Sequence, residues 1–321
     1  MSFDRYGIYA ARIGDILLRD LSDISWRSAS KKSVVIPGGD VHPRAIVNCC
    51  ADPVMDFSTK ALDALFAGAA TVDPWIGYAV NTAGSPSTPS ALLQFQKRVD
   101  GSTFASGANH IVGTNTKGFL NPVSISAQQD DEAGVKCMLS YSILSTDGMT
   151  PPMTWSNAAA LTSVPNFDGI WFLGPATIGV VGSAGIFLGS LQSMELRFGI
   201  NYRSPRGDGN VYPVNGSVHS VVPEIRFTLL NFQTDVFAMA YPWGSAYSQV
   251  GECAFQFYLQ KGVHGGARVS SDVAEHIAII THTGERTPET CSVREIDDAQ
   301  VEIVLRPTGG IFIAVQQTIS F

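Results

Sequence analysis

The stretch GDVHPRAIVNCCADPVMDFS, Gly39–Ser58, is answered 170 positions later by GNVYPVNGSVHSVVPEIRFT, Gly209–Thr228. Gly39-Asp40-Val41-His42-Pro43 lies over Gly209-Asn210-Val211-Tyr212-Pro213, Pro53 over Pro223, and Phe57-Ser58 over Phe227-Thr228. Self-similarity of this kind sets the architecture before any single element is considered. It predicts two diverged copies of one β-rich domain in tandem, residues 1–165 and 166–321.

The likeness continues on both sides with small shifts, as loop insertions would produce. Phe3-Asp4 and Gly7-Ile8-Tyr9 resemble Phe167-Asp168 and Gly169-Ile170-Trp171. Further on, Leu93–Lys97 resembles Phe255–Leu259, and Asn109-His110-Ile111 resembles Glu275-His276-Ile277. The acidic turn Gln129-Asp130-Asp131 resembles Ile296-Asp297-Asp298. The shared order places the boundary near Ser163–Asn166, after a Pro-, Ser- and Asn-rich stretch, Asp147–Pro165, that reads as a linker.

Alternation with a period of two marks half-buried strands. It is plainest at Val135–Ile143, Met194–Ile200, Cys253–Leu259 and Val301–Leu305. Further strands are expected at Ala45–Cys50, Trp75–Asn81, Ala91–Val99, His276–Thr281 and Ile311–Ile319. One helix is expected after Ser58 or Thr59 as cap, with Leu62, Leu65, Phe66 and Ala69 on one face. Its counterpart at Leu229–Met239 has a poorer pattern and is expected to be shorter or distorted. The fold class is therefore mainly β, two sandwich or barrel domains each with one short helix. Long polar loops at Thr82–Ser90 and Asn201–Val218 are candidates for subunit contacts.

The composition supports this and narrows the function. Apolar residues make up 45% and charged residues only 15%, a low charge for a fully solvated surface, so part of that surface is expected to meet partners. The net charge is −7 and the 21 Lys and Arg form no run, which argues against specific nucleic-acid binding. The opening MSFDRYGIYA lacks the sections of a secretion signal, and glycines and Pro175 break up Gly169–Met194, so neither export by that route nor membrane insertion is expected. The five cysteines have no metal-ligand spacing and read as reduced; Cys49 and Cys50 should point to opposite faces.

No catalytic constellation emerges. Gly182-Ser183-Ala184-Gly185 is not a nucleophile elbow, Gly207-Asp208-Gly209 has Tyr212 where a dinucleotide loop needs glycine, and the six histidines include no metal-binding spacing. Asp130, Asp131 and Glu132 read as a solvated turn in preference to a calcium loop. The expectation is no enzyme, no cofactor and no metal.

The segment Gly39–Phe66, GDVHPRAIVNCCADPVMDFSTKALDALF, resembles a recurring stretch in the tail tube and related tail proteins of long-tailed bacteriophages. There a Gly- and Pro-containing turn leads to a strand, a Pro-x-φ-x-Phe-Ser/Thr strand and a short helix. A weaker version stands at Val211–Phe237. The resemblance implies strands that join neighbouring subunits into a barrel around a channel, with rings stacked into a tube. A duplicated chain would then build a pseudo-sixfold ring from three copies. It also implies a virion tail component made in the host cytoplasm, whose partners are its own copies, the tape measure, terminator and baseplate proteins, and double-stranded DNA passing without specific binding. Carboxylates facing the channel would repel phosphate, and Glu195, Glu224, Asp298 and Glu302 are the candidates. Competing readings are a baseplate hub or distal tail protein forming one ring, and a two-domain receptor-binding protein. Exposed Trp75, Trp155, Trp171 or Trp243 in a groove would favour the last.

Overall fold

The computed structural model describes residues 5–67, 90–98, 105, 107–163, 169–179, 186–230, 254–263, 267–281, 284–292 and 300–319, except positions 15, 29, 37, 39–41, 43, 208 and 309. The chain is mainly β. The first half runs β1 (Arg5–Ile13), β2 (Ile16–Leu18), β3 (Leu21–Ser28), β4 (Lys31–Val35), β5 (Ala45–Cys50), β6 (Pro53–Thr59) and α1 (Leu62–Ala67). It continues through β7 (Ala91–Arg98), β8 (His110–Asn115), β9 (Gly118–Gln128), β10 (Lys136–Ile143) and β11 (Thr154–Ala159). The second half runs β12 (Ile170–Gly179), β13 (Ile186–Phe187), β14 (Leu191–Arg197), β15 (Ile200–Arg203), β16 (Ser217–Val221) and β17 (Glu224–Leu230). It ends with β18 (Ala254–Gly262), β19 (His276–Thr281), β20 (Gly284–Ser292), β21 (Gln300–Pro307) and β22 (Phe312–Gln317).

These strands pair twice in the same way. The first half builds a five-stranded sheet β11-β8-β7-β1-β2, and the second builds β22-β19-β18-β12-β13, its strand-for-strand equivalent. The hairpin β4-β5 is matched by β15-β16. The remaining strands form one eight-stranded sheet, β20-β21-β17-β14-β9-β10-β6-β3, which is the block β9-β10-β6-β3 of the first half placed edge to edge with its equivalent from the second. The seam is β14 against β9, antiparallel, with Glu195 opposite Ser126 and Leu196 opposite Ile125.

Registers repeat as well as order. Gly118 and Pro122 face Ile143 and Leu139 across β9–β10, and Gly284 and Pro288 face Pro307 and Ile303 across β20–β21. Both pairings are interrupted one residue beyond that proline, so even the bulge is duplicated. Pairing also corrects the alignment by residue type. Gln96 and Lys97 correspond to Gln260 and Lys261, two positions along from the sequence match, and Tyr6 corresponds to Trp171. Residue identity cannot locate a loop insertion, whereas a hydrogen-bonded ladder fixes which residues are opposite.

The core lies where the alternation predicts. Along β10, Cys137, Leu139, Tyr141 and Ile143 are buried while Met138 is exposed. The shared sheet adds Met55, Phe57, Ile125, Leu196, Ile225, Phe227 and Ile303, and the second-half sheet covers them with Phe255, Phe257 and Ile279. Helix α1 buries Leu62, Leu65 and Phe66. Ser58 and Thr59 belong to β6, and Thr59 Oγ1 accepts the Ala61 N–H just ahead of the helix.

Three expectations need correction. Asp147–Pro165 is not a linker: Thr154–Ala159 pairs with β8, and the preceding turn is tied by the Asp147 carboxylate, which accepts the Met149 and Thr150 N–H groups. Its Ser and Asn content belongs to an exposed sheet margin. Asn201–Val218 is not one long loop, since β15 and β16 occupy its ends. Leu229 and Leu230 finish strand β17, where the second helix was expected to start. The rest of that segment, the Trp75–Asn81 strand and residues 82–89 lie outside the described residues.

Candidate assembly surface

Because β-strand side chains alternate, burying one face of the eight-stranded sheet leaves the other for solvent or a partner. That other face is polar. Ser58, Met138, Ser124, Arg197 and Glu224 stand opposite one another along one cross-strand row, with the Arg306 guanidinium beside Glu224 at its end. The next row carries Lys136, Ser126, Glu195, Arg226 and Val304.

Glu195, Glu224 and Glu302 therefore share this face, as an acidic lining would require, but none stands as a bare charge. Arg197 donates through Nε and Nη2 to the two carboxylate oxygens of Glu195, both at 2.9 Å. Arg226 Nε donates to Glu224 Oε1 at 2.7 Å, and its Nη1 lies 3.6 Å from Glu302 Oε1. Arg306 Nη2 lies 3.5 Å from Glu224 Oε2. The bond from Arg226 and the nearby guanidinium charges hold the Glu224 carboxyl below its ordinary pKa. In the first half Arg27 Nε contacts Asp56 Oδ2 at 2.9 Å, and the Ser140 hydroxyl donates to Asp56 Oδ1.

Among the described residues the face carries an arginine beside each of Glu195, Glu224 and Glu302, which offsets their charge at close range. The signal was present in the sequence: Glu195-x-Arg197 and Glu224-x-Arg226 are two apart, which in a strand is one face. Asp298 lies outside the described residues.

The other sequence candidates separate. Asp131 Oδ1 accepts the Ala133 N–H and its carbonyl accepts that of Gly134, a closed turn. His276 is buried with both ring nitrogens engaged, Nδ1 accepting from the Lys261 N–H and Nε2 lying 2.9 Å from Ser270 O. Cys49 is exposed and Cys50 buried, on opposite faces of β5. No group of three potential metal ligands occurs among the described residues, and no helix there is long and apolar enough to cross a membrane. Residues 182–185, Trp75 and Trp243 lie outside the described residues.

Of the tryptophans, Trp171 is buried, whereas Trp155 is exposed beside Trp26, which the sequence reading passed over. Trp26, Trp155 and Phe95 pack with ring centroids 5.5–6.2 Å apart. With Tyr6, Ile111 and Asn157 they line an open recess of about 420 Å³.

The two halves are also clamped across the seam. Phe119 stacks on Tyr202 at 4.0 Å, the Ser145 N–H donates to Pro213 O at 2.9 Å, Lys117 Nζ to Asn215 Oδ1 at 2.9 Å, and Arg206 pairs with Asp52. The β15-β16 arm thus grips the first half of its own chain. No family model matches the chain, and no curated protein matches it either.

Proposed function

We propose that this chain is a structural subunit of a viral tail tube, three copies forming a ring of six half-chains around a channel and the rings stacking into a tube. One observation carries the reading: two halves with the same strand order and registers meet edge to edge in a single sheet whose two outer margins, β3 and β20, are the equivalents of the strands at the seam. A head-to-tail contact of that kind repeats from chain to chain, giving a ring where the rotation closes and an open filament where it does not. Six wedges from three chains close it in the simplest way that uses both halves alike.

In this arrangement the polar face of the shared sheet lines the channel. Its arginines are occupied by carboxylates, so passing double-stranded DNA meets few free cations able to displace its counterions and hold it. The remaining contacts would be those of a tail component, with tape measure, terminator and baseplate proteins at the tube ends, and the location would be the virion tail.

Mass measurement of the purified protein in solution tests the reading. A trimer, or a polymer in multiples of three, is expected, and negative-stain images should show tubes. Isolated rings would favour a baseplate hub or distal tail protein, and a monodisperse monomer at high concentration would refute self-assembly.

A further inference from the structure

The seam inside the chain is a template for a contact between chains. Strand β3 is the equivalent of β14, since both run antiparallel beside the equivalent strands β6 and β17, with Trp26 opposite Met55 and Leu196 opposite Ile225. Strand β20 is the equivalent of β9. β14 and β9 bond to each other at the seam, whereas among the described residues β3 and β20 end the eight-stranded sheet on its two sides.

Burial differs between the halves at the same place. Tyr6, Trp26 and Trp155 are 37%, 48% and 50% exposed, whereas their equivalents Trp171, Leu196 and Ile313 are 4%, 0% and 3% exposed. Ile8 is exposed while its equivalent Leu173 is buried, and Phe95 is half-buried while Leu259 is buried. In the second half the cover comes from the first: the Val135 N–H donates to Trp171 O at 2.7 Å, and the Gln129 N–H to Gln192 O. The arms differ in the same sense. The β15-β16 arm is held by the clamp across the seam, whereas the equivalent β4-β5 arm exposes Val34, Val35 and Ile46. A large apolar cluster beside an open strand margin is the signature of an interface awaiting its other side.

We propose that a second copy of this chain adds its β20 to β3, in the register that the internal seam sets. Transferring Glu195 opposite Ser126 and Leu196 opposite Ile125 to the equivalent positions puts Ser25 opposite Ser292 and Trp26 opposite Cys291 of the second copy. The incoming β20 and β21 strands cover the side of the sheet that carries Tyr6, Trp26, Phe95 and Trp155, as the β9-β10 hairpin covers Trp171. The β4-β5 arm grips the incoming chain's second half. This rests on the self-assembly reading above and adds to it the strands, the register and the residues that close the contact.

The test is oxidative cross-linking of assembled Ser25→Cys/Ser292→Cys protein, with the linked peptides identified by mass spectrometry, beside Trp26→Glu/Trp155→Glu. The double-cysteine protein should give intermolecular disulfides joining positions 25 and 292 and a ladder of covalent multimers. The glutamate variant should keep its strand circular dichroism and lose at least tenfold in assembly at fixed concentration. Particles of wild-type mass without that cross-link, or unaffected by the glutamates, overturn the proposed contact while leaving self-assembly standing. A wild-type chain that stays monomeric overturns both. Quenching of Trp26 and Trp155 fluorescence by polysaccharide, with assembly unchanged by the glutamates, assigns the aromatic recess to a carbohydrate and also overturns the proposal.

Discussion

His110 and His276 hold the same place in the two halves: each ring is buried, and each Nδ1 accepts the N–H of a lysine on the neighbouring strand, Lys97 at 3.1 Å and Lys261 at 3.3 Å. The accepting nitrogen must be unprotonated, so His276 carries its proton on Nε2 and donates it to Ser270 O. Replacing His276 with Ala leaves a buried N–H and a carbonyl unpaired and opens a hole. The expected loss is about 2–4 kcal/mol in urea unfolding, with His110→Ala losing a similar amount.

Asn115 organises a second buried network. Tyr141 donates its hydroxyl to Asn115 Oδ1 at 2.7 Å, and Asn115 Nδ2 donates to Pro152 O at 2.7 Å and Leu144 O at 3.3 Å. Tyr141→Phe removes one bond, and Asn115 Oδ1 keeps the Lys117 N–H, so about 1 kcal/mol is expected. Asn115→Ala removes the acceptor of the tyrosine hydroxyl and the donor to two carbonyls and should cost about 3 kcal/mol. Equal losses in the two variants would contradict the network.

Gly199 turns the chain from β14 into β15 at φ 62°, and an added Cβ would run into the Val222 carbonyl. Gly209 has φ 82° but open space around it. Gly199→Ala should therefore destabilise well beyond the ~1–2 kcal/mol of conformational strain that Gly209→Ala incurs. Thermal unfolding of the two variants compares them directly.

Glu224, set between Arg226 and Arg306, should make stability fall in acid. Its folded-state pKa lies below the unfolded value, so its contribution is complete above the ordinary carboxylate range. That contribution is lost as the pH drops through the depressed folded value. Because the pairs are partly solvated, Glu224→Gln should shrink the stability difference between about pH 7 and pH 3 by no more than ~1 kcal/mol. No change, or a larger pH dependence in the variant, would show the pairs to be energetically idle.

Strands buried on one face were legible in the sequence. The alternation at Val135–Ile143 matches β10 within a residue and that at Val301–Leu305 matches β21 within two, and His276–Thr281 and Ala45–Cys50 match β19 and β5 at both ends. Among the margin and arm strands, β5 and β22 were legible and four others were not. LSDISWRS in β3, KKSVV in β4, TWSNAA in β11 and GERTPETCS in β20 carry turn-like or charged residues. The first three are largely exposed in the chain by itself, so no hydrophobic period is imposed on them. The acidic residues on the polar face were legible; their arginine partners needed the spacing read together with the strand assignment. Trp26 escaped notice because its counterpart is Leu196, and only strand pairing reveals that the two are equivalent.

In the proposed assembly, equivalent half-chains surround an axis, joined through the same edge inside and between molecules. Electron cryo-microscopy of the assembled particle tests it most directly. A threefold ring with near-sixfold repetition is expected, with β3 of one chain paired to β20 of the next, and Glu195, Arg197, Glu224 and Arg226 facing the channel. Chains meeting through other surfaces, with β3 and the Trp26 recess left in solvent, would contradict it.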